Sequence, residues 1–317
     1  MLSVLGGSLG DTAIGVLLAL GATLVFSVCI VLSTVGSRQL DSDASAVLAG
    51  AANIPVGLAL MGLMALGGHR LADPTPSALL WFALGGLCAI WLGRWLFFRA
   101  IRLLGPTRAS VFQTLSPLIT ALFAWAFLGD ALGWVGLAGM LLAVAGLVVT
   151  TQRRPASASA GGIGAVAVTA RLALAIGLGA ATAYAASSVF RGAGLREWNE
   201  PLAGSTLGAV AGWAVLLWMS RRRLPAVRAQ VRAHPRSARV MLLVGGLQIV
   251  AQTLMVASMN HIAVWLAVLV TSCTPLLVMP LSARFLRRDE TLDARLILGA
   301  VLTCVGVGLA MAADMLG

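Results

Sequence analysis

Ten stretches of about twenty residues stay apolar along most of their length, with short polar segments between them. They run Thr12–Val35, Ala44–Leu66, Ser77–Phe98, Ala109–Leu128 and Leu132–Thr151, then Leu172–Phe190, Pro201–Met219, Val240–Ser258, Ile262–Ala283 and Ala294–Ala313. About 20 apolar residues of helix cross the hydrocarbon core of a bilayer, so the pattern predicts ten transmembrane helices. The first stretch follows a leader without basic residues or a cleavage signal, and it reads as a retained helix rather than a signal peptide.

The pattern repeats. The segment GPTRASVFQTLSPLITALFAWAFLGDALGWVGLAGMLLAVAGLVVTT, from Gly105 to Thr151, returns in altered form from Ile262 to Ala313. Both copies carry a hydroxyl-proline step, Ser116-Pro117 and Thr274-Pro275, and an acidic residue before a second apolar helix. Asp130 precedes Gly139 and Gly146 by the same nine and sixteen residues that separate Glu290 from Gly299 and Gly306. The second copy is longer between proline and acid, where Arg287 and Arg288 fall. The stretch QRRPASASAGG from Gln152 is the joint. The chain therefore divides into residues 1–152, a linker with the start of the second half over 153–171, and residues 172–317. The expected fold is an all-α polytopic membrane protein whose ten transmembrane helices form two five-helix repeats. An odd number of spans per repeat inserts the halves in opposite senses, the inverted-repeat design of many carriers.

Composition agrees: 59% of residues are hydrophobic and 10% charged, with a mean hydropathy of +0.96, too apolar to coat a water-soluble globule. All 22 basic residues are arginine. Their net charge of +11 is spread among loops and acts as a topology signal, not a nucleic-acid footprint. Loops on one side hold 18 of them, counting Arg295 at the edge of the tenth span, with seven in RRRLPAVRAQVRAHPRSAR from Arg221, while the other side holds Arg70, Arg191 and Arg196. The positive-inside rule makes the arginine-rich side cytoplasmic and puts both termini outside. The seven-arginine loop also suits contact with anionic headgroups. Cys29, Cys88, Cys273 and Cys304 lie in apolar runs without ligand spacing, which assigns them to packing.

The paired units TLSP…LGDAL…G…G and SCTP…DETL…G…G resemble the EamA-type repeat of the drug/metabolite transporter superfamily, and the ten spans and midpoint joint extend the resemblance over essentially the whole chain. It implies an alternating-access carrier with a central cavity between the first four helices of each half, the fifth and tenth being peripheral. Direction and substrate class follow from the resemblance alone: export of small polar metabolites such as amino acids across a bacterial inner membrane. Two features depart from the family. Asp130 stands where a glutamate is usual, and family members commonly keep their termini in the cytoplasm, against the arginine count.

Polar residues inside spans are the candidates for function. Arg94, mid-span in CAIWLGRWLFF, either offers its forked donors to an anion in the cavity or snorkels to an interface. Trp91, three residues earlier, shares its helical face and would wall the same pocket or simply pack. Gln248 and Gln252 lie on one face of the eighth span, and Gln252 precedes Pro275 by the 23 residues that separate Arg94 from Pro117. Aligning Gly85-Gly86 with Gly245-Gly246 instead shifts that match by two. Gln113 lies one turn before Pro117, and Asn53 and Tyr184 are further cavity candidates. Ser116, Pro117, Thr274 and Pro275 form either hinges or static kinks. Asp130 and Glu290 are assigned to the N-terminus of the following helix. Small residues, Gly139 and Ala143 in the fifth span and Ala300, Cys304, Gly308 and Ala312 in the tenth, mark contact faces of a bundle or a weak homodimer.

No acidic residue lies mid-span, so a neutral, zwitterionic or anionic metabolite suits the cavity better than a cation. His69, His234 and His261 show neither metal nor triad spacing, and no Walker sequence is present. The expectation is a carrier without catalytic residues, metal or cofactor, with the lipid bilayer and a small metabolite as its partners. The alternative is a membrane-embedded enzyme or lipid-handling protein on the same helices.

Overall fold

The computed structural model describes residues 2–104, 112–130, 132–151, 163–278, 281 and 294–316. The joint at 152–162 and the residues Arg287, Arg288 and Glu290 lie outside them.

In lipid a spanning backbone must satisfy its own polar groups, and the apolar stretches do so as helices. The first half holds α1 (Leu2–Gly36) and α2 (Ser42–Leu66). Helix α3 runs through Pro76–Gly86, a π-helical stretch Leu87–Gly93 and Arg94–Leu104. Then come α4 (Phe112–Leu128, π-helical over Ala124–Leu128) and α5 (Trp134–Thr151). The second half holds α6 (Ile163–Glu197), α7 (Pro201–Ser220), a short α8 (Leu224–Ala233), α9 (Pro235–Ser258), α10 (Val264–Val278) and α11 (Ala294–Leu316). All ten expected spans are helical over most of their described residues. Capping marks their starts: Asp41 accepts from Ala44 N at 2.7 Å ahead of α2, and Thr75 accepts from Ala78 N ahead of Pro76 in α3.

Helix α6 differs most from expectation. It continues beyond Phe190 through Arg191-Gly192 to Glu197, because arginine is a good helix former and the two interior glycines, Gly192 and Gly194, cost only about 1 kcal/mol each. The break comes just before Pro201.

The principal helix contacts come in exchanged pairs. Helix α1 packs on α9 as α6 packs on α3, α2 on α9 as α7 on α3, and α1 on α10 as α6 on α4. Helices α2 and α7, α4 and α10, and α5 and α11 pair with their own counterparts. This is the contact pattern of a two-fold axis exchanging the halves, and five spans per half invert one against the other.

The repeated glycines meet at the last of these pairs. A Cβ on Gly306 would stand 2.3 Å from Ala143 N and 2.6 Å from Gly139 O, and one on Gly146 would stand 2.6 Å from Gly299 O. The α11 side of the seam is thus Gly299, Thr303, Gly306 and Ala310. The expected stripe on that helix is corrected: Cys304, Gly308 and Ala312 face outward and Ala300 is half-buried, because the stripe lies one residue round from the seam.

Helix α8 carries part of the seven-arginine loop. Its Val227 is buried against Cys29, Leu40, Ala44 and Met241, so its apolar face rests on protein while Arg228 and Arg232 stay exposed. Gln230 and Arg223 tie it to Asp41 and Asp43 at the start of α2.

Candidate functional site

A cavity of about 400 Å³ lies between the halves. Its walls come from α1, α2, α3 and α4 and from α6, α7, α9 and α10, while α5 and α11 contribute no lining residue. Such a volume is in the range of small-molecule sites.

Most of the residues singled out in the sequence converge here: Asn53 from α2, Arg94 from α3, Gln113 and Ser116 from α4, Tyr184 from α6, Gln248 and Gln252 from α9, and Thr274 and Pro275 from α10. Arg94 and Gln252 stand on walls of one cavity, contributed by opposite halves. Tyr184 hydrogen-bonds Gln113 and lies beside the Arg94 charge. Gly93 permits this approach, since a Cβ there would meet the Tyr184 ring at 3.1 Å.

Pro117, expected as a hinge or static kink, is buried behind the lining, and Ser116 faces the cavity. One expectation is corrected. Trp91 is 37% exposed and does not line the cavity. The π-helical stretch explains it: i→i+5 bonding advances only ~80° per residue, so positions 91 and 94 stand ~120° apart rather than the ~60° of an α-helix.

The residue that sequence reasoning missed is Arg191. It is 6% exposed and lines the cavity with Tyr184, Ser187 and Ser188, at spacings that put all four on one face of α6. Ending the span at Phe190 had placed it in a loop. The signal was the polar face itself, together with the absence of any proline between Phe190 and Pro201. The Ser187 hydroxyl donates to Gly85 O at 2.7 Å and ties α6 to α3 there. Gly85 makes room for the arginine stem, because a Cβ would stand 2.9 Å from Arg191 Cγ. Among the described residues no carboxylate lines the cavity or pairs with Arg94 or Arg191.

The bends are satisfied locally. Pro275 cannot donate to the Thr271 carbonyl one turn back, and the Thr274 hydroxyl does so at 2.6 Å. Helix α1 supports the same region: Thr23 donates to Val270 O and Ser27 to Thr274 O, both at 3.3 Å. In α4 the Thr120 hydroxyl donates to Ser116 O at 2.8 Å.

The two ends of the cavity differ. Towards the arginine-rich face a second chamber of about 530 Å³ continues it, sharing Phe26, Ile30, Arg94 and Gln248 and running out past Ser33, Ser37 and Ser45. The opposite end is tied by polar contacts. Buried Glu200 accepts from Ala72 N at 3.2 Å and meets His69 Nε2 at 3.1 Å. Glu197 accepts from Ser77, from Trp81 Nε1 at 3.0 Å and from Thr75 at 3.1 Å, and these donors, Ser77 first, hold its carboxyl below the usual range. Asn260 donates to Asn199 at 2.6 Å, and His261 Nδ1 lies 2.5 Å from Asp11. Asp130 pairs with Arg196 and accepts from Val264 N at 3.2 Å. Its role is structural as expected, but the helix start it caps is that of α10 in the other half, not that of α5.

A model of the EamA-like transporter family matches residues 13–152 and 171–312, one match in each half. A solved structure titled "Crystal structure of protein" superposes with a TM-score of 0.70 at 21% identity, covering 95% of this chain and 96% of its own, a likeness of fold. A search of curated proteins finds no match.

Proposed function

The chain belongs to the EamA-like transporter family of the drug/metabolite transporter superfamily, and from that premise we propose that it exports small polar metabolites, anionic or zwitterionic, by alternating access. The observation that carries this reading is the cavity between the halves, lined by two arginines with no facing carboxylate among the described residues. Amino acids are the substrate class in which carboxylate and small size combine most simply, and the guanidinium fork of Arg94 would take the carboxylate. Gln113, Gln248, Gln252, Asn53 and Tyr184 would orient the remainder.

In this reading substrate reaches the cavity through the chamber on the arginine-rich side. With Arg191 assigned to the cavity, the loop arginines divide 18 against two, Arg70 and Arg196, and the positive-inside rule makes the rich side cytoplasmic. Both termini then lie outside, and the protein works as a monomer or weak homodimer in the bacterial inner membrane. Closure of the chamber and release of the ties at the other end would expose the loaded cavity outward, with the helix bends at Ser116-Pro117 and Thr274-Pro275 absorbing the movement.

Reconstitution tests the proposal. In proteoliposomes loaded with unlabelled metabolite, wild-type protein should exchange labelled anionic or zwitterionic substrate. Arg94→Ala should lower the rate ~10-fold or more, the loss of one hydrogen-bonded charge, while the protein stays monodisperse. Unchanged transport by that variant would remove Arg94 from the site.

A further inference from the structure

The charge in the cavity names a narrower substrate class. Resting on the carrier reading above, we propose that the cavity takes a small molecule with two anionic groups, carboxylate or phosphate, one held by Arg94 and the other by Arg191.

The two guanidinium-bearing residues sit at different depths. On α6, Arg191 lies seven residues beyond Tyr184, the neighbour of Arg94, an axial offset of ~10 Å. Helix α3 gives the same order independently: Gly85, which borders the Arg191 stem, precedes Arg94 by nine residues. Arg94 is common to the cavity and the chamber leading to the arginine-rich face, so it stands at the neck. Arg191 belongs to the cavity alone and lies towards the tied end, where α6 terminates. Apolar residues, including Ala89, Ile90, Ile249 and Met255, complete the cavity wall.

A buried charge needs a partner. Among the described residues the protein supplies none to either arginine, so the complement arrives with the ligand. A monoanion would neutralise one guanidinium and leave the other bare when the cavity closes. A zwitterion would add a cation to a site already carrying two. Two anionic groups on one small molecule match both charges, and the planar forks suit carboxylate and phosphate alike. The order of preference is therefore dianion, monoanion, zwitterion.

Purified wild-type protein, Arg191→Gln and Arg191→Lys would be heated with equal concentrations of succinate, glycerol 3-phosphate, propionate or alanine, since a ligand of the folded state raises the unfolding midpoint. Succinate or glycerol 3-phosphate should bind wild type about tenfold or more tightly than propionate, and whichever binds better identifies the second group as carboxylate or phosphate. Arg191→Gln should reduce the dianion to the level of propionate. Arg191→Lys keeps the charge and should retain part of the preference, which serves as the readout if the Gln variant fails to fold. Equal binding of propionate and dianions by wild type, or an undiminished dianion preference in both variants, would overturn the proposal. Counterflow separates it from the wider reading: exchange of labelled alanine with no advantage for labelled succinate or glycerol 3-phosphate overturns the two-anion site and leaves the carrier standing. No exchange of any probe overturns both.

Discussion

The tie at Asp130 joins the halves at the closed end and should hold that end shut. One carboxylate oxygen accepts from Val264 N at 3.2 Å, and the other pairs with Arg196. The Arg196 side chain is 50% exposed, so the ion pair contributes no more than about 1 kcal/mol. A hydrogen bond to a charged acceptor is worth ~1.5–3 kcal/mol, and at this length the lower end applies. Together they favour the closed end by ~2 kcal/mol, or ~30-fold in population. The assay is labelling of a single cysteine on the cavity wall, Ser188→Cys, with Cys29, Cys88, Cys273 and Cys304 replaced, by an impermeant thiol reagent applied from the Asp130 side. Asp130→Ala should speed labelling ~30-fold if opening precedes reaction. Asp130→Asn keeps a carbonyl acceptor for Val264 N and loses only the ion pair, so its effect should be several-fold smaller. Equal labelling of the parent and Asp130→Ala in monodisperse protein would refute the idea that this contact holds the end closed.

Three further substitutions probe the packing and the ties. Gly306→Ala forces a Cβ to 2.3 Å from Ala143 N, so α5 and α11 must part; a loss of ~1–3 kcal/mol is expected, read as a lower unfolding midpoint, and an unchanged midpoint would contradict the seam. Gly85→Ala crowds the Arg191 stem at 2.9 Å and should weaken anion binding with little loss of fold, measured by ligand-induced thermal shift. Trp91→Ala, outside the cavity, should leave transport near wild type where Arg94→Ala lowers it ~10-fold or more. Acid exposes the role of Glu197: its carboxyl is held below the ~4.3 of a free glutamate, so its ties to Ser77, Trp81 and Thr75 stabilise the fold above that pH and are lost as pH falls through the lower folded value. The unfolding midpoint should drop as pH falls below the range of a free glutamate in wild type and less in Glu197→Gln; parallel curves would exclude the contribution.

Hydropathy alone made the architecture legible, because a span must be both apolar and about twenty residues long, and both requirements appear directly in the residue string. The glycine spacings carried more than the repeat. Gly139 and Gly146 pack against Gly299 and Gly306, so the seam between the peripheral helices is built from the positions that revealed the duplication. What hydropathy could not see was a charge buried in a polar wall. Arg191 lowers the local mean, so a window that seeks apolar residues ends the span just before it. The same rule that located the helices therefore expelled from them the residue facing the cavity.

Helical phase explains the other discrepancies. The proline count matches Arg94 with Gln252, whereas the glycine pairs disagree with it by two residues. In three dimensions Gly86 abuts Gly208 as Gly245 abuts Ala49, which aligns 86 with 245 and cuts the disagreement to one. The π-helical stretch between Gly86 and Arg94 absorbs one extra residue without breaking the helix, so both alignments hold, one on each side of it. That single insertion turns Trp91 out of the cavity while keeping Arg94 in it. The charged side chain thus keeps the cavity position of its counterpart Gln252 across a local change of helical pitch, and deleting one residue within Leu87–Gly93 should restore an α-helix with Arg94 still in the wall. Such a deletion should leave anion binding near wild type while the helix remains intact by circular dichroism, and a loss as large as that of Arg94→Ala would show that the stretch does not simply absorb an extra residue.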